Sequence, residues 1–447
     1  MFALFKKYPW LLLLMCLLAP VIAALIRKFV PGQPNSIEPI SSIAVIFLSL
    51  WFFVHIKKRT TIPVWLTQVL VLLAAFQGIY AILAMFYDIR VAILAVCIRI
   101  LPIVLVGIAA AAITKTEDFL MITRILGTIV LAMVPVGITV YFFGNGFLPH
   151  FLLPIDAMVK LGRETKGGFQ TCAGIFNTEI ILANTVVAIV FLSLTAVNLR
   201  NVKHKTYFWI VACSGVLLTY VTTQRAAFYL GLVGIFVHFI IQRGIKKFHI
   251  ISAFFFIIVA IIGTDHYTQK QALYKMHYKQ RSDLMTDMDL KTRVNLVFIE
   301  LLVKWMIKTP VGMFLGYSGN ESAAFPNSSI PQPDGAVETG AAVAVADTGI
   351  IGFMLYLGVI FIVSLRILKH AKFGENQNAV YLLMTYFMGF FIIYYMKAYT
   401  VMGALSLAQL VFWAAPGICA KLIFLQKQAK RDNIAQAALV TGASRPL

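Results

Sequence analysis

Long apolar blocks separated by short polar segments run along most of the chain. Most blocks are close to 20 residues long, the length that a helix needs to cross a hydrocarbon core of about 30 Å. The pattern predicts twelve membrane-spanning helices, at residues 9–26, 40–56, 63–86, 91–113, 126–144, 178–199, 206–224, 226–242, 248–264, 341–365, 378–396 and 400–425. The stretch 115–125 is amphipathic and predicts a separate connector that lies at the membrane interface.

The composition excludes an ordinary soluble protein. Of the 447 residues, 60% are hydrophobic and 13% are charged, and the mean hydropathy is +0.86. A soluble domain is about 45–50% apolar and about 25% charged. The net charge of +20 would suit nucleic acid. However, the basic residues form short clusters between apolar blocks rather than one soluble face, so no nucleic-acid partner is predicted.

The basic clusters instead predict topology, because Lys and Arg accumulate in cytoplasmic segments. With the N-terminus inside, 21 of the 38 basic residues fall in inner segments and five in the short outer connections. Both termini are therefore predicted to be cytoplasmic. The inner residues are Lys6, Lys7, Lys57, Lys58, Arg59, Lys115, Arg124, Arg200, Lys203, Lys205, Arg243, Lys246, Lys247, Arg366, Lys369, Lys372, Lys421, Lys427, Lys430, Arg431 and Arg445; the outer ones are Arg27, Lys28, Arg90, Arg225 and Lys397.

Two long connections break this pattern, and both are predicted to lie outside. Spans one to nine occupy residues 1–264 and include the outer loop 145–177, whereas residues 265–340 form one large outer loop. Spans ten to twelve follow at 341–426, and 427–447 is a cytoplasmic tail. An amphipathic stretch from Leu290 to Lys308 predicts short helices in the large loop. Loops this long in a compact protein are usually functional or disordered.

Two arginines lie at outer positions where a guanidinium could bind a phosphate or a carboxylate. Arg225 is at the hinge between spans seven and eight, where it could equally be a topology charge at a helix end. Arg293 lies in the large loop and shares a helical face with Glu300 and Lys304. That face could also be only the polar side of an interfacial helix.

Glu338 precedes span ten and follows a turn-rich stretch in which Asp334 is a plausible N-cap. A carboxylate near the first helical turn is favoured in its charged form, so Glu338 could accept a proton from a sugar hydroxyl. Alternatively, its only role could be a favourable interaction with the dipole of the helix.

Arg99 is inside span four, roughly 13 Å below Arg90. It is predicted to face a cavity, to form a buried ion pair or to snorkel to water.

The remaining chemistry-bearing residues are few. The basic residues Arg163 and Lys166, next to Gly167 and before Glu179, could bind an anionic headgroup or simply be solvated. Four of the five cysteines lie in apolar blocks and none form a CxxC pair, and no P-loop or zinc spacing is present. No metal and no cofactor are therefore predicted.

Three stretches resemble the bacterial O-antigen polymerase and O-antigen ligase superfamily over roughly residues 165–360. Residues 174–183 are similar to a helix start in that family, with Thr178-Glu179 in place of Pro-Asn. Residues 223–227 resemble the Ser-Arg-Gly/Ala hinge. Residues 338–353, with Asp347-Thr348-Gly349 and Gly352, resemble a His-Asn…Glu-x-Gly-x-x-Gly block in which Glu338 stands where many ligases have His. The stretches 293–295 and 310–316 are similar to the start and the Pro-x-x-Gly-x-Gly exit of the family's catalytic loop.

The resemblance implies a GT-C-like glycosyltransferase in the bacterial inner membrane, with its active face in the periplasm. It implies metal-independent, inverting transfer from an undecaprenyl-pyrophosphate-linked oligosaccharide, with Arg225 and Arg293 on the pyrophosphate and Glu338 as the base. Arg99, Arg163, Lys166, Glu179 and Lys304 would bind substrate, and membrane lipid and a chain-length regulator protein would be partners. The departures at Glu338 and at Thr178-Glu179 favour a polymerase over a ligase. A lipid-linked sugar flippase or transporter is the alternative from another class.

Overall fold

The computed structural model describes residues 2–29, 37–55, 62–143, 179–200, 202–222, 225–243, 301–318, 340–372, 375–392 and 405–440. Within these ranges every regular element is helical and no strand occurs. A π turn Val96–Ile100 and a 3-10 turn Leu101–Val104 join α5 to α6. The α-helices are α1 Phe2–Lys7, α2 Trp10–Phe29, α3 Ile37–His55, α4 Val64–Met85, α5 Ile89–Ala95, α6 Leu105–Ala112, α7 Thr116–Phe143, α8 Glu179–Val197, α9 Lys205–Val221, α10 Arg225–Arg243, α11 Leu301–Lys308, α12 Gly340–Ala371, α13 Gln377–Phe390 and α14 Leu407–Val440.

Six helical stretches among the described residues are long and apolar enough to cross a membrane. They are Val64–Met85, Ile89–Ala112, Thr116–Val140, Ile180–Val197, Gly340–Ala371 and Leu407–Asp432. The prediction of an all-α, multi-pass membrane protein is confirmed. Shorter apolar helices occupy four further predicted spans, at Trp10–Ile26, Ile40–His55, Lys205–Val221 and Ala226–Gln242. The predicted span 248–264 and the outer loop 145–177 lie outside the described residues, as does most of the loop 265–340.

The prediction of a separate connector at residues 115–125 is wrong, because α7 is one helix of 28 residues. Its start is capped by Asp118, whose Oδ2 accepts hydrogen bonds from the Thr114 N–H at 2.7 Å and the Lys115 N–H at 2.9 Å. Phe119 and Ile122, in the supposed connector, are buried in the core. The polar residues of this stretch therefore form the first turns of the membrane helix itself.

Removing this cap should weaken the start of α7. We expect Asp118→Ala to lower the free energy of unfolding by about 1 kcal/mol, because two backbone N–H groups lose their acceptor. Glu117 is exposed in the same first turn, so Glu117→Ala is the matched control for lost negative charge. Denaturant unfolding in detergent micelles would compare the two variants. Equal destabilisation by both would contradict the assignment of Asp118 as the cap.

Among the six long apolar stretches, those of α8 and α14 are the most buried, with 89% and 83% of their membrane-spanning windows inside the protein. Helix α8 contacts α7, α9, α10, α13 and α14, and α14 also contacts α2, α6 and α12. The backbones of α14 and α6 touch at Gly417, where a Cβ would lie 2.1 Å from the Val106 carbonyl oxygen. Helix α12 packs against both α14 and α4, and the candidate site lies between these three helices.

Segments that the charge pattern assigned to the inner side meet at one end of the bundle. The Arg366 guanidinium lies 5.3 Å from the centre of the Trp65 ring, which joins the end of α12 to the start of α4. Arg200, after α8, forms an ion pair with Glu375, before α13. The candidate site is found toward the other end of α4, where Tyr80 and Tyr87 contact residues 309–318.

Candidate functional site

Helix α12 is broken inside its membrane-spanning region at Gly349, which has φ 72° and ψ −176°. Residues 309–318, here called the crossing segment, pack against this break. The Ile350 N–H donates to the Pro310 carbonyl at 3.0 Å, and the Met313 N–H donates to the Ala346 carbonyl at 3.0 Å. Irregular backbone at membrane depth is tolerated only where protein or a water-filled cavity satisfies it. The crossing segment provides partners at this break.

Two glycines allow the crossing segment to approach so closely. A Cβ on Gly349 would lie 2.4 Å from the carbonyl carbon of Val311, and a Cβ on Gly312 would lie 2.5 Å from the Gly349 nitrogen. Gly312 also has a positive φ of 82°. Side chains other than hydrogen are therefore excluded at both positions by backbone atoms, which cannot rotate away.

The other side of the crossing segment packs on the corner between α4 and α5. The Leu315 N–H donates to the Tyr80 carbonyl at 3.1 Å, and the Tyr80 hydroxyl donates to the Val311 carbonyl at 2.6 Å. The rings of Tyr87 and Phe314 stack with their centres 4.6 Å apart. The crossing segment thus joins α12 to the α4–α5 corner.

Asp347, two residues before the break, is fully buried. Its Oδ2 accepts from the Arg99 guanidinium at 2.8 Å and from the Gly316 N–H at 3.0 Å. Its Oδ1 accepts from the Ser318 N–H at 2.9 Å and the Ser318 hydroxyl at 2.7 Å. A carboxylate has about four lone-pair sites, so these four donors use its accepting capacity. Asp347 therefore binds both the crossing segment and an intramembrane arginine.

Arg99 lies on the π turn Val96–Ile100, a kind of irregularity that is frequent at functional sites. Its side chain is only 13% exposed and forms the ion pair with Asp347. It also lines a cavity. Of the alternatives that the sequence left open for Arg99, the buried ion pair and the position facing a cavity both hold, and a side chain that snorkels to water is excluded.

The cavity beside Arg99 has a volume of about 50 Å³ and lies between α4, α12 and α14. Its polar lining comes from Gln77, Arg99, Thr348 and Gln409. Gln77 is only 7% exposed, and its Oε1 has no hydrogen-bond partner within the part of the chain that the structure describes. Such an acceptor costs about 1–3 kcal/mol when it is left unsatisfied. The lining also includes Gly340, the first residue of α12.

The turn that precedes α5 carries a second charged pair. The Asp88 carboxylate accepts from the Arg90 N–H at 2.8 Å and from the Arg90 guanidinium at 3.1 and 2.7 Å. These hydrogen bonds to the Arg90 side chain lower the pKa of Asp88. The charge of Arg90 is thus locally paired, and Asp88 caps α5.

Most of the residues predicted for the site fall where side chains are not described. Arg225 is the first residue of α10 and Glu179 the first of α8; the structure describes the backbone of both but the side chain of neither. Arg163, Lys166, Arg293 and Glu338 lie outside the described residues. Lys304 is exposed on α11, next to the buried Trp305. Within the described ranges, no group of three or more His, Cys, Asp or Glu residues could hold a metal ion.

Sequence reasoning missed Asp347, Gln77 and Gln409 as site residues. Asp347 entered only as part of a family-like stretch, and the two glutamines were not singled out. A signal was present, because a polar side chain within an apolar span marks a functional position by default. The crossing segment carries no comparable local signal.

The fold and this cluster define an all-α, multi-pass membrane protein with a buried Arg–Asp pair and a polar intramembrane cavity. Comparison of the sequence with protein-family models and with curated proteins finds no match to either.

Proposed function

We propose that the protein is a polymerase that joins undecaprenyl-pyrophosphate-linked oligosaccharide repeat units into a surface polysaccharide. It would act at the periplasmic face of the bacterial inner membrane, with twelve spans in a GT-C-like arrangement and both termini in the cytoplasm. One observation carries the proposal. The polar cavity that contains Arg99 reaches Gly340, which comes two residues after the proposed base Glu338 in the sequence.

The glycines of the family-like stretch add support. Gly349 occupies a backbone conformation that is essentially restricted to glycine. A Cβ on Gly352 would lie 2.0 Å from the Thr348 hydroxyl and 3.0 Å from the Phe76 ring. The spacing of these two glycines, on which the resemblance partly depends, therefore has a structural reason in this chain.

In the proposed reaction, Glu338 removes the proton from a hydroxyl of the acceptor sugar. The hydroxyl oxygen attacks the anomeric carbon of the donor sugar, and the bond to the pyrophosphate breaks with inversion. Arg225 and Arg293 hold the pyrophosphate and stabilise the charge that develops as it leaves. Arg163, Lys166, Glu179 and Lys304 bind the remainder of the two substrates. A chain-length regulator and membrane lipid are the proposed partners.

Two alternatives remain. An O-antigen ligase would use the same chemistry with lipid A-core as the acceptor. A lipid-linked sugar flippase is favoured by the broken helix α12, because discontinuous helices often form the substrate sites of transporters. A flippase needs no base at Glu338, which separates it from both enzymes.

The test is a surface-polysaccharide gel from a strain that carries only Glu338→Gln. Because a general base contributes about 10²–10⁴-fold to rate, we expect the polysaccharide ladder to disappear, leaving lipid A-core that carries one repeat unit. Arg225→Ala and Arg293→Ala should give the same result. Bare core with accumulated lipid-linked polymer would instead identify a ligase.

Glu375→Gln is the matched control, since it removes a carboxylate at the opposite end of the bundle and should keep the wild-type ladder. Glycosidic-bond formation by purified protein should fall together with the ladder. If the Glu338, Arg225 and Arg293 variants all retain wild-type ladders, the glycosyltransferase proposal is wrong.

A further inference from the structure

We propose that the cavity beside Arg99 binds a neutral, hydroxyl-bearing group, a sugar of the lipid-linked substrate, and excludes its pyrophosphate. This inference rests on the proposed function for the identity of the sugar, and it deepens that function by dividing the substrate between two places. The cavity takes hydroxyl groups, and the pyrophosphate binds elsewhere.

The charge balance argues against an anion in the cavity. Arg99 is the only charged residue among those that line the cavity in the described part of the chain. Asp347 already forms an ion pair with it at 2.8 Å and is itself fully buried. A phosphate placed here would add negative charge next to a buried carboxylate and would need a second cation. A neutral ligand adds no such cost.

The hydrogen-bonding groups indicate which neutral ligand fits. The buried Gln77 Oε1 needs a donor, whereas an arginine can only donate. A hydroxyl group both donates and accepts, but an ionised phosphate or carboxylate only accepts. A ligand hydroxyl can therefore satisfy Gln77 and still accept a hydrogen bond from a neighbouring donor.

The walls and the size suit the edge of a sugar ring. Phe76, Tyr356 and Trp413 line the cavity together with the polar residues. Such a pocket, largely apolar with a few placed polar groups, is typical of small-molecule sites. The volume of about 50 Å³ exceeds the roughly 10–15 Å³ that one water needs. It accommodates a few hydroxyl-sized groups, and not a whole repeat unit.

The test measures binding of two probes with the same alkyl chain, n-octyl β-glucoside and n-octyl phosphate, to full-length protein in nanodiscs. Both are used below the concentration at which they form micelles. We expect saturable glucoside binding that Gln77→Leu weakens about tenfold, the effect of one hydrogen bond. Octyl phosphate binding should not respond to Gln77→Leu. The control is Gln242→Leu, an exposed glutamine on α10, which should leave glucoside binding unchanged.

The stability of the variant provides a second measurement. Because Gln77 Oε1 lacks a partner among the described residues, Gln77→Leu should unfold at the same temperature as the wild type or higher. A loss of binding in a variant that is still stable then reports on the cavity rather than on folding.

The inference is overturned if octyl phosphate binds more tightly than the glucoside in a Gln77-dependent manner, or if neither probe responds to Gln77→Leu. If Glu338→Gln loses the ladder but sugar binding does not depend on Gln77, only this inference is overturned and the polymerase proposal stands. Gln77-dependent binding with an intact Glu338→Gln ladder would overturn only the polymerase.

Discussion

Asp347→Asn should lower the free energy of unfolding by about 3–5 kcal/mol, the cost of leaving one member of a buried ion pair alone. The substitution preserves shape but removes the charge that compensates Arg99. It also replaces one of the two accepting oxygens with an amide NH₂, so the hydrogen bond from the Gly316 N–H to Oδ2 or the one from the Ser318 N–H to Oδ1 is lost. Denaturant unfolding in detergent micelles measures the loss.

The double variant Arg99→Gln/Asp347→Asn separates charge from shape. It removes both charges, so part of the stability lost in Asp347→Asn should return. Glu375→Gln is the control, because its pair with Arg200 is exposed and such pairs contribute about 0–1 kcal/mol. Asp347→Asn within about 1 kcal/mol of the wild type would show that the buried pair does not hold the site together.

Asp347→Asn should also loosen the crossing segment. Amide hydrogen exchange over residues 309–318 should become faster, because local opening no longer breaks a charge-assisted network. Exchange in α8, which packs in the centre of the bundle, should change much less. This contrast would locate the destabilisation at the site rather than throughout the protein.

The sequence predicted the membrane helices well because each depends on local composition. A block of about 20 apolar residues satisfies its own backbone as a helix in lipid wherever it lies in the fold. The interfacial connector at 115–125 was wrong because amphipathic composition does not distinguish a separate helix from the first turns of a longer one. The deciding contact, from Asp118 to the Thr114 and Lys115 N–H groups, joins those polar residues directly to the start of α7.

The site was less accessible to sequence reasoning because its partners are far apart in the chain. Arg99 was identified from its depth alone, but its partner Asp347 is 248 residues away, and nothing local links the two. The crossing segment was placed in an outer loop, because it falls within the long connection 265–340 between the predicted spans nine and ten. Only the tertiary structure shows that this segment returns to the broken helix and completes its hydrogen bonds.

Gly349→Ala should be as damaging as the loss of Asp347, although it removes no interaction. The added Cβ would lie 2.4 Å from the Val311 carbonyl carbon and 2.6 Å from the Pro310 oxygen, and backbone atoms cannot rotate away. In addition, φ 72° with ψ −176° is strained for any other residue by about 1–3 kcal/mol. We expect a total loss of about 3 kcal/mol or more in the free energy of unfolding.

Gly358 provides the matched control on the same helix, because a Cβ there meets no heavy atom within 4 Å. Gly358→Ala should leave stability unchanged or raise it by up to about 1 kcal/mol, since alanine favours a helix over glycine. Gly312→Ala approaches the same contact from the other side, so it should resemble Gly349→Ala and also accelerate hydrogen exchange at residues 309–318. If Gly349→Ala instead behaves like Gly358→Ala, the crossing segment does not pack against the break in α12. The buried ion pair between Arg99 and Asp347 would then need a different explanation, because the other donors to Asp347, Gly316 and Ser318, belong to that segment.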